Sequence, residues 1–409
     1  MLLYWIWLAE LKDITLLQKQ RLLERLHDPE ELYHTADGVF QKLGLPEKER
    51  QALQNRDLKA AEQILLRCTE KDIKLLPLTD RAYPTRLRNT PDAPILLYYR
   101  GILPDWEGVP FIGVVGTRKA SAYGLQVAHQ MGGQIAAGGG YIVSGGAAGG
   151  DTAAMQGALE AGCPVVGVLG CGVDVVYPRS NCRLFDAVVE NGCLISEYPP
   201  GAPPIDWHFP ARNRIISGIS NGVLVMEAPV KSGALITAQR ALEQGRDVFV
   251  VPGNINIPTC AGSNALLQEG ATPVFTGWDV LSGYEFLYPG KLRKSQFASL
   301  YTGEPTEAKV AQKLLTPEKT SKKPAIFEKK PIDNGRNTTY IELDNNHPAL
   351  SDTEQAVLAL LTRVPQEPQE PAELIAKLDL PSGKVLSSLT MLTVKGLVHK
   401  HPGGRVSLK

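Results

Sequence analysis

The rhythm of apolar positions changes along the chain and divides it. In residues 1–75, Leu16, Leu17, Leu22, Leu23 and Leu26 recur at helical spacing, and Pro29 and Pro46 punctuate the pattern. This predicts a small helical domain. A helix-hairpin-helix DNA binder would want a Gly-rich turn, and the first candidate turn, Lys12-Asp13-Ile14-Thr15, has no glycine. A packing or protein-contact role fits that stretch better. Residues 76–110 are Pro-rich and lead into a sheet. From Phe111 onward, short apolar runs at 111–115, 141–143, 165–169, 194–196, 223–226, 248–251 and 273–275 alternate with helix-length segments. That alternation predicts an α/β fold, a doubly wound parallel sheet spanning 76–285, whose ligands sit at the C-terminal strand ends.

The pattern then lapses and returns. Residues 286–350 lose periodicity and gain Lys, Pro, Thr and Asn, a flexible linker composition. In 351–409, Ser351 and Glu354 form a capping box before Val357, Leu358, Leu360 and Leu361. Pro371 starts a second helix. A third, from Ser382, carries Val385, Leu386, Leu389 and Leu392 on one face and stops at Gly396. Two short strands, 397–399 and 405–408, flank His401-Pro402-Gly403-Gly404. Three helices and a hairpin predict a winged helix-turn-helix, with Lys384, Ser387, Ser388 and Lys395 on the solvent side of the third helix.

Composition narrows the function. Lys plus Arg and Asp plus Glu are both 43, so global basicity argues for nothing. Residues 111–276 hold 9 basic and 11 acidic side chains, so any nucleic-acid contact there rests on a local patch. The six cysteines form no CxxC pair and no His stands at zinc spacing, so no metal site is expected. They read as reduced thiols of a cytoplasmic protein. The apolar start, MLLYWIWLAEL, lacks a basic flank and a cleavage site and reads as a packed helix. No run approaches a membrane span.

Two strand-to-helix corners carry the candidate chemistry. One holds Gly116, Thr117 and Arg118, the other Lys231, Ser232 and Gly233. A small-residue turn at a helix start brings backbone N–H groups and the positive helix end to one point, which suits phosphates. Neither corner is a GxGxxG or GxxxxGK[ST] motif, and the second strand ends in Ser144-Gly145-Gly146 with no acidic residue for a ribose. No cofactor is expected. Between the corners, Trp207, His208 and Phe209 stand in a polar, Pro-flanked loop. An aromatic ring there either stacks an unpaired base or anchors the core. Arg214 either contacts phosphate or pairs with a carboxylate such as Asp206 or Glu227, and the same holds for Arg212. There is no GxSxG elbow, and no His clearly partners Asp151, Glu197 or Glu227. Asp151, at a helix start, reads as a cap for backbone N–H groups. Glu227, beside the Lys231 corner, is the acid that stays open. The chain is not expected to be an enzyme.

Seven motifs together resemble the DprA (Smf) family of bacterial DNA-processing proteins. They are GTRKASAYG (116–124), SGGAAGGDTAA (144–154), VLGCGVDVVYPRSN (168–181), SEYPPG (196–201), FPARNRIISGIS (209–220), EAPVKSGALITA (227–238) and VPG (251–253). The resemblance implies a Rossmann-like pocket that binds single-stranded DNA, a homodimer, and transfer of the strand to the RecA recombinase in natural transformation. It implies contacts at Gly116, Thr117, Arg118, Ser144, Gly145, Phe209, Arg212, Asn213, Lys231, Ser232 and Gly233, and no hydrolysis. Three positions depart from the family pattern. Ala148 takes the place of an Arg (with Gly150 for Ile), Met155 that of a His, and Asp206 that of a Lys. Two lost cations predict weaker, less salt-dependent binding.

Two other readings compete. A nucleotide or nucleoside-phosphate hydrolase of the lysine-decarboxylase-like Rossmann group would carry a PGGxGTxxE turn; APVKSGALITA lacks the paired Gly and the Glu. A nucleotide-sensing regulator would bind duplex DNA through 351–409. That module could equally contact protein.

Overall fold

Nine strands build one sheet in the computed structural model, which describes residues 1–294, 351–362, 369–378, 380, 382–395, 397–400 and 405–408. They are β1 (Lys74–Pro77), β2 (Leu96–Gly101), β3 (Phe111–Val115), β4 (Tyr141–Ser144), β5 (Val165–Leu169), β6 (Cys193–Ser196), β7 (Gly222–Val225), β8 (Asp247–Val250) and β9 (Thr272–Pro273). All seven predicted strands are present with small shifts at their ends, and they pair in parallel in the order β6-β5-β4-β3-β7-β8-β9. The sheet is not wholly parallel, however. β2 adds antiparallel to β6 and β1 antiparallel to β2. β1 ends in Pro77 and β2 lies inside the Pro-rich stretch 76–110, which hid them from a pattern search.

The order contains one reversal. From β3 the chain steps outward through β4, β5 and β6, then returns to lay β7 against the other side of β3, with Ile112 opposite Gly222 and Val115 opposite Val225. Loops leaving β3 and β7 therefore diverge to opposite faces and leave a crevice between them. β3, β5 and β7 are buried along their whole length, as parallel strands covered on both faces must be.

One face is covered by helices Ala122–Ala137, Gly150–Glu160 and Cys182–Asn191, the other by His208–Ile219 and Gly233–Glu243. The first two helices touch backbone to backbone. A Cβ on Gly157 would lie 2.0 Å from the His129 carbonyl oxygen. That approach brings the turns after β3 and β4 side by side. The N-terminal helices, from Leu2–Glu10 to Lys59–Glu70, share a buried cluster with the sheet, in which Trp5, Ile6 and Leu8 join Leu96, Tyr98 and Ile112.

The chain divides into two units, Met1–Thr316 and Pro317–Lys409. The second has helices Asp352–Leu361, Pro371–Leu378 and Ser382–Val394, then an antiparallel pair, β10 (Val398–Lys400) and β11 (Val406–Leu408). Val357, Leu361, Leu374, Val385, Leu389, Leu392, Val398 and Val406 form its core. The Ser351–Glu354 capping box is present. The predicted solvent side of the third helix needs correcting. Lys384 and Ser387 are exposed, but Ser388 is buried, because it lies three residues from Val385 and beside Leu389 on the apolar stripe. Lys395 is drawn back to Glu354, 2.8 Å away. The predicted Gly396 stop, the 401–404 turn and the linker from 295 to 350 lie outside the described residues.

Candidate functional site

The crevice between the ends of β3 and β7 is a cleft of about 480 Å³, lined mainly from three segments, with Ala147 and Asp151 after β4 adding to the lining. The turn after β3 gives Gly116, Thr117, Arg118 and Lys119. The helix His208–Ile219 gives Phe209, Arg212 and Asn213. The turn after β7 gives Lys231, Ser232 and Gly233. Nine of the eleven expected site residues thus meet in one place. Ser144 and Gly145 do not line it. Ser144 is fully buried and its hydroxyl donates to the Val114 carbonyl at 2.7 Å, tying β4 to β3. Gly145 lies under the cleft, where a Cβ would stand 2.6 Å from an Arg212 nitrogen and 2.8 Å from an Asp151 oxygen.

The two corners differ from each other. At the β3 turn the amides of Gly116, Thr117 and Lys119 are taken up by the fold. Gly116 N–H donates to Asp151 Oδ1 at 3.1 Å, Thr117 N–H to the Glu227 carbonyl at 2.7 Å, and Lys119 N–H to Thr117 Oγ1 at 3.2 Å. The expectation that this corner offers free backbone donors at Gly116 and Thr117 is therefore corrected. It offers side chains, the exposed Arg118 and Lys119. The β7 turn follows the expected geometry. Ser232 caps the helix Gly233–Glu243 by accepting from Ala234 N–H at 3.2 Å, and Lys231 and Gly233 are exposed at the positive end of that helix. Asn213 ties the helix His208–Ile219 to the β7 turn by donating to the Gly233 carbonyl at 3.1 Å.

Between the corners lies an aromatic column. The Arg118 guanidinium sits over the Phe209 ring, 5.0 Å from its centroid, and the Tyr177 ring approaches Phe209 at 5.4 Å. Arg212 forms the floor, only 4% exposed. Its Nη1 donates to the Gly145 carbonyl at 2.9 Å and its buried Nε has no hydrogen-bond partner. Burial lowers its affinity for the proton to a pKa of about 10, against the pull of Asp151. Burial likewise raises the Asp151 carboxyl, opposed by Arg212 and by the backbone N–H groups of Gly116, Ala147 and Gly145. Asp151 thus accepts from backbone N–H groups of the turns after β3 and β4, and the expected cap of its own helix start is not made.

Arg214 takes the carboxylate option, with partners other than those expected. Its Nη2 donates to both oxygens of Glu197, at 2.7 and 2.8 Å, and its Nε lies 3.5 Å from Asp92. Glu227 is buried and accepts from Ser121 N–H at 3.0 Å, Ser121 Oγ at 3.1 Å and the Thr259 hydroxyl. Its carboxylate anchors the start of the helix Ala122–Ala137 and is committed to the fold. Tyr177, which packs on Phe209 without lining the cleft, was not expected there. Its motif was noted, but the contact with Phe209 depends on how the segments after β5 and β6 fold over each other. Among the described residues no His, Cys, Asp or Glu cluster could hold a metal ion, and no helix is long and apolar enough to cross a membrane.

Residues 74–285 match the family model described as DNA recombination-mediator protein A, and residues 342–404 match the DprA winged helix domain. The chain is 46% identical over 213 residues to the DNA processing protein DprA of Streptococcus pneumoniae, covering 51% of this chain and 73% of that protein. It is 33% identical over 349 residues to the protein Smf of a Synechocystis species, covering 84% and 82%. The X-ray structure of the pneumococcal DprA superposes with a TM-score of 0.61 at 35% identity, over 69% of this chain and 98% of that one. The motifs that line the cleft fall inside the matched region, and the chain belongs to the DprA (Smf) family of DNA recombination mediators.

Proposed function

We propose that this protein binds single-stranded DNA in the β3–β7 cleft and acts by holding the strand rather than by cleaving it. One observation carries the reading: three exposed cations, Arg118, Lys119 and Lys231, stand on the two turns that wall a single cleft, with an aromatic ring beneath one of them. Cations on opposite walls suit the repeating charge of a phosphate backbone, and an aromatic neighbour suits an unpaired base. Phe209 is covered by Arg118 in the free protein. Strand binding then exchanges partners: the guanidinium leaves the ring for a phosphate, and the freed ring face takes a base. Arg212, with its unpartnered Nε, adds positive potential from the floor. The buried acids Asp151 and Glu227 are occupied with backbone N–H groups and hydroxyls, which suits holding a strand rather than cleaving it.

The wider role follows the family. The held strand is handed to the RecA recombinase by a cytoplasmic homodimer during natural transformation, and a winged helix domain, 351–409, is joined through a 286–350 linker to the 76–285 binding domain and its 1–75 helical domain. The test is fluorescence anisotropy of labelled oligo-dT with the full chain at low and moderate salt, with duplex DNA and a nucleoside monophosphate as competitors. Tight, salt-sensitive binding that neither competitor displaces supports the reading. A monophosphate that is bound or hydrolysed while the strand is ignored overturns it.

A further inference from the structure

We propose that Trp207 is a second base-stacking platform, at the rim of the cleft, which extends the bound single strand beyond Phe209. The proposal rests on the strand-binding reading above. The structure separates the three neighbouring aromatic residues. His208 is buried at 5% exposure, Phe209 is half-buried in the cleft wall, and Trp207 is 64% exposed. Of the five tryptophans, Trp5, Trp7 and Trp106 are buried and Trp278 is half-buried, so Trp207 alone turns most of its surface to solvent.

The indole is mounted rather than loose. His208 stacks on Tyr198 with ring centroids 3.7 Å apart and planes 18° from parallel. Trp207 stands nearly perpendicular to that pair, 4.2 Å from the His208 centroid and 6.3 Å from that of Tyr198. His208 is itself fixed through Nδ1 to the Gly170 carbonyl at 3.1 Å. A large apolar ring held in one orientation loses little further freedom when a partner stacks on it. Asp206, just before it, and Phe209, two residues after it, both line the cleft. A strand that lays phosphates against Arg118 and Lys231 therefore passes the indole as it leaves the cleft. The cationic cleft favours a polyanion bearing flat apolar groups, and an unpaired base is the group that fits. Asp206 limits phosphate approach at this rim, which leaves stacking as the main attraction there.

The test uses the full chain, an oligo-dT and an abasic strand of equal length and charge, at low salt. Stacking on Trp207 quenches its fluorescence on titration with oligo-dT, and Trp207→Phe removes the quenching. Trp207→Ala weakens oligo-dT binding about tenfold, as loss of one stacked base does, while Trp207→Phe keeps most of the affinity. Neither variant changes binding of the abasic strand. Wild-type affinity in Trp207→Ala, or an equal loss for oligo-dT and the abasic strand, overturns the platform and leaves the cleft reading standing. Failure of the wild-type chain to bind oligo-dT overturns both.

Discussion

The β3–β7 cleft and the third helix of the C-terminal unit are both surfaces a nucleic acid could use, and they hold their cations in different ways. In the cleft, Arg118, Lys119 and Lys231 are exposed and lack a carboxylate partner among the described ion pairs. On the third helix, Lys384 is exposed, whereas Lys395 is half-buried against Glu354, and nearby Arg405 lies 3.3 Å from Glu370. A cation already neutralised inside its own fold releases few counterions when a polyanion arrives. The lesson is that counting basic residues ranks the two surfaces alike, while pairing separates them.

The difference can be broken in four ways. Replacing both Arg118 and Lys231 by Ala should weaken oligo-dT binding about a hundredfold at moderate salt, with about tenfold from each, as loss of a charge-assisted phosphate contact implies. The exposed Lys42→Ala should have no effect, and anisotropy titrations that show equal losses at all three positions would sink the cleft assignment. In the same titrations, Arg118→Ala should lower the slope of log affinity against log salt by about 0.7. In the opposite direction, Asp206→Lys should tighten binding about fivefold and steepen that slope by about 0.7, since it adds one phosphate contact at the rim. An unchanged slope would place Asp206 off the strand's path. Removing residues 351–409 should change oligo-dT affinity by no more than about twofold, given that Lys395 and Arg405 there are paired with carboxylates. Loss of binding in that truncation would move the main site to the winged helix. The smallest effect concerns the C-terminal unit itself. The Lys395 ammonium and the Ser351 N–H hold the Glu354 carboxyl below its usual value. A depressed folded value gives stability that is present above the unfolded value near 4.5 and is lost as pH falls below it. Acid unfolding of the full chain should therefore show a sensitive step, and Glu354→Gln should remove its pH dependence. A step that persists in the variant would assign it to another group.

The sheet was largely legible in the sequence because its parallel strands are buried on both faces and so appear as continuous apolar runs. Residues 165–169 and 111–115 are of that kind. β1 and β2 were not legible. Their signal is broken by Pro77 and by partial exposure at Arg100 and Gly101. At the site, Lys231, Ser232 and Gly233 were readable because a helix cap is a local arrangement of adjacent residues. The fate of the Gly116 and Thr117 amides was not, since their acceptors, Asp151 and Glu227, are 35 and 110 positions away. The same holds for Arg214, whose carboxylate partners are Glu197 and Asp92, and for Lys395 with Glu354. A pattern reading recovers what neighbours in sequence decide, and it loses what only the completed fold brings together.

The pairing of β3 with β7 has a consequence for when the cleft comes into being. Val115 and Val225 lie side by side in the sheet but are made far apart in time as the chain leaves the ribosome. Until the helix Gly233–Glu243 has emerged, Arg118 faces no opposite wall and the crevice has one side. Long-range pairing of this kind is late and slow to form. A partial chain that ends between β3 and β7 therefore exposes the Arg118 turn without a groove to complete it. The site certifies its own completeness: an unfinished polypeptide has the residues but lacks the place.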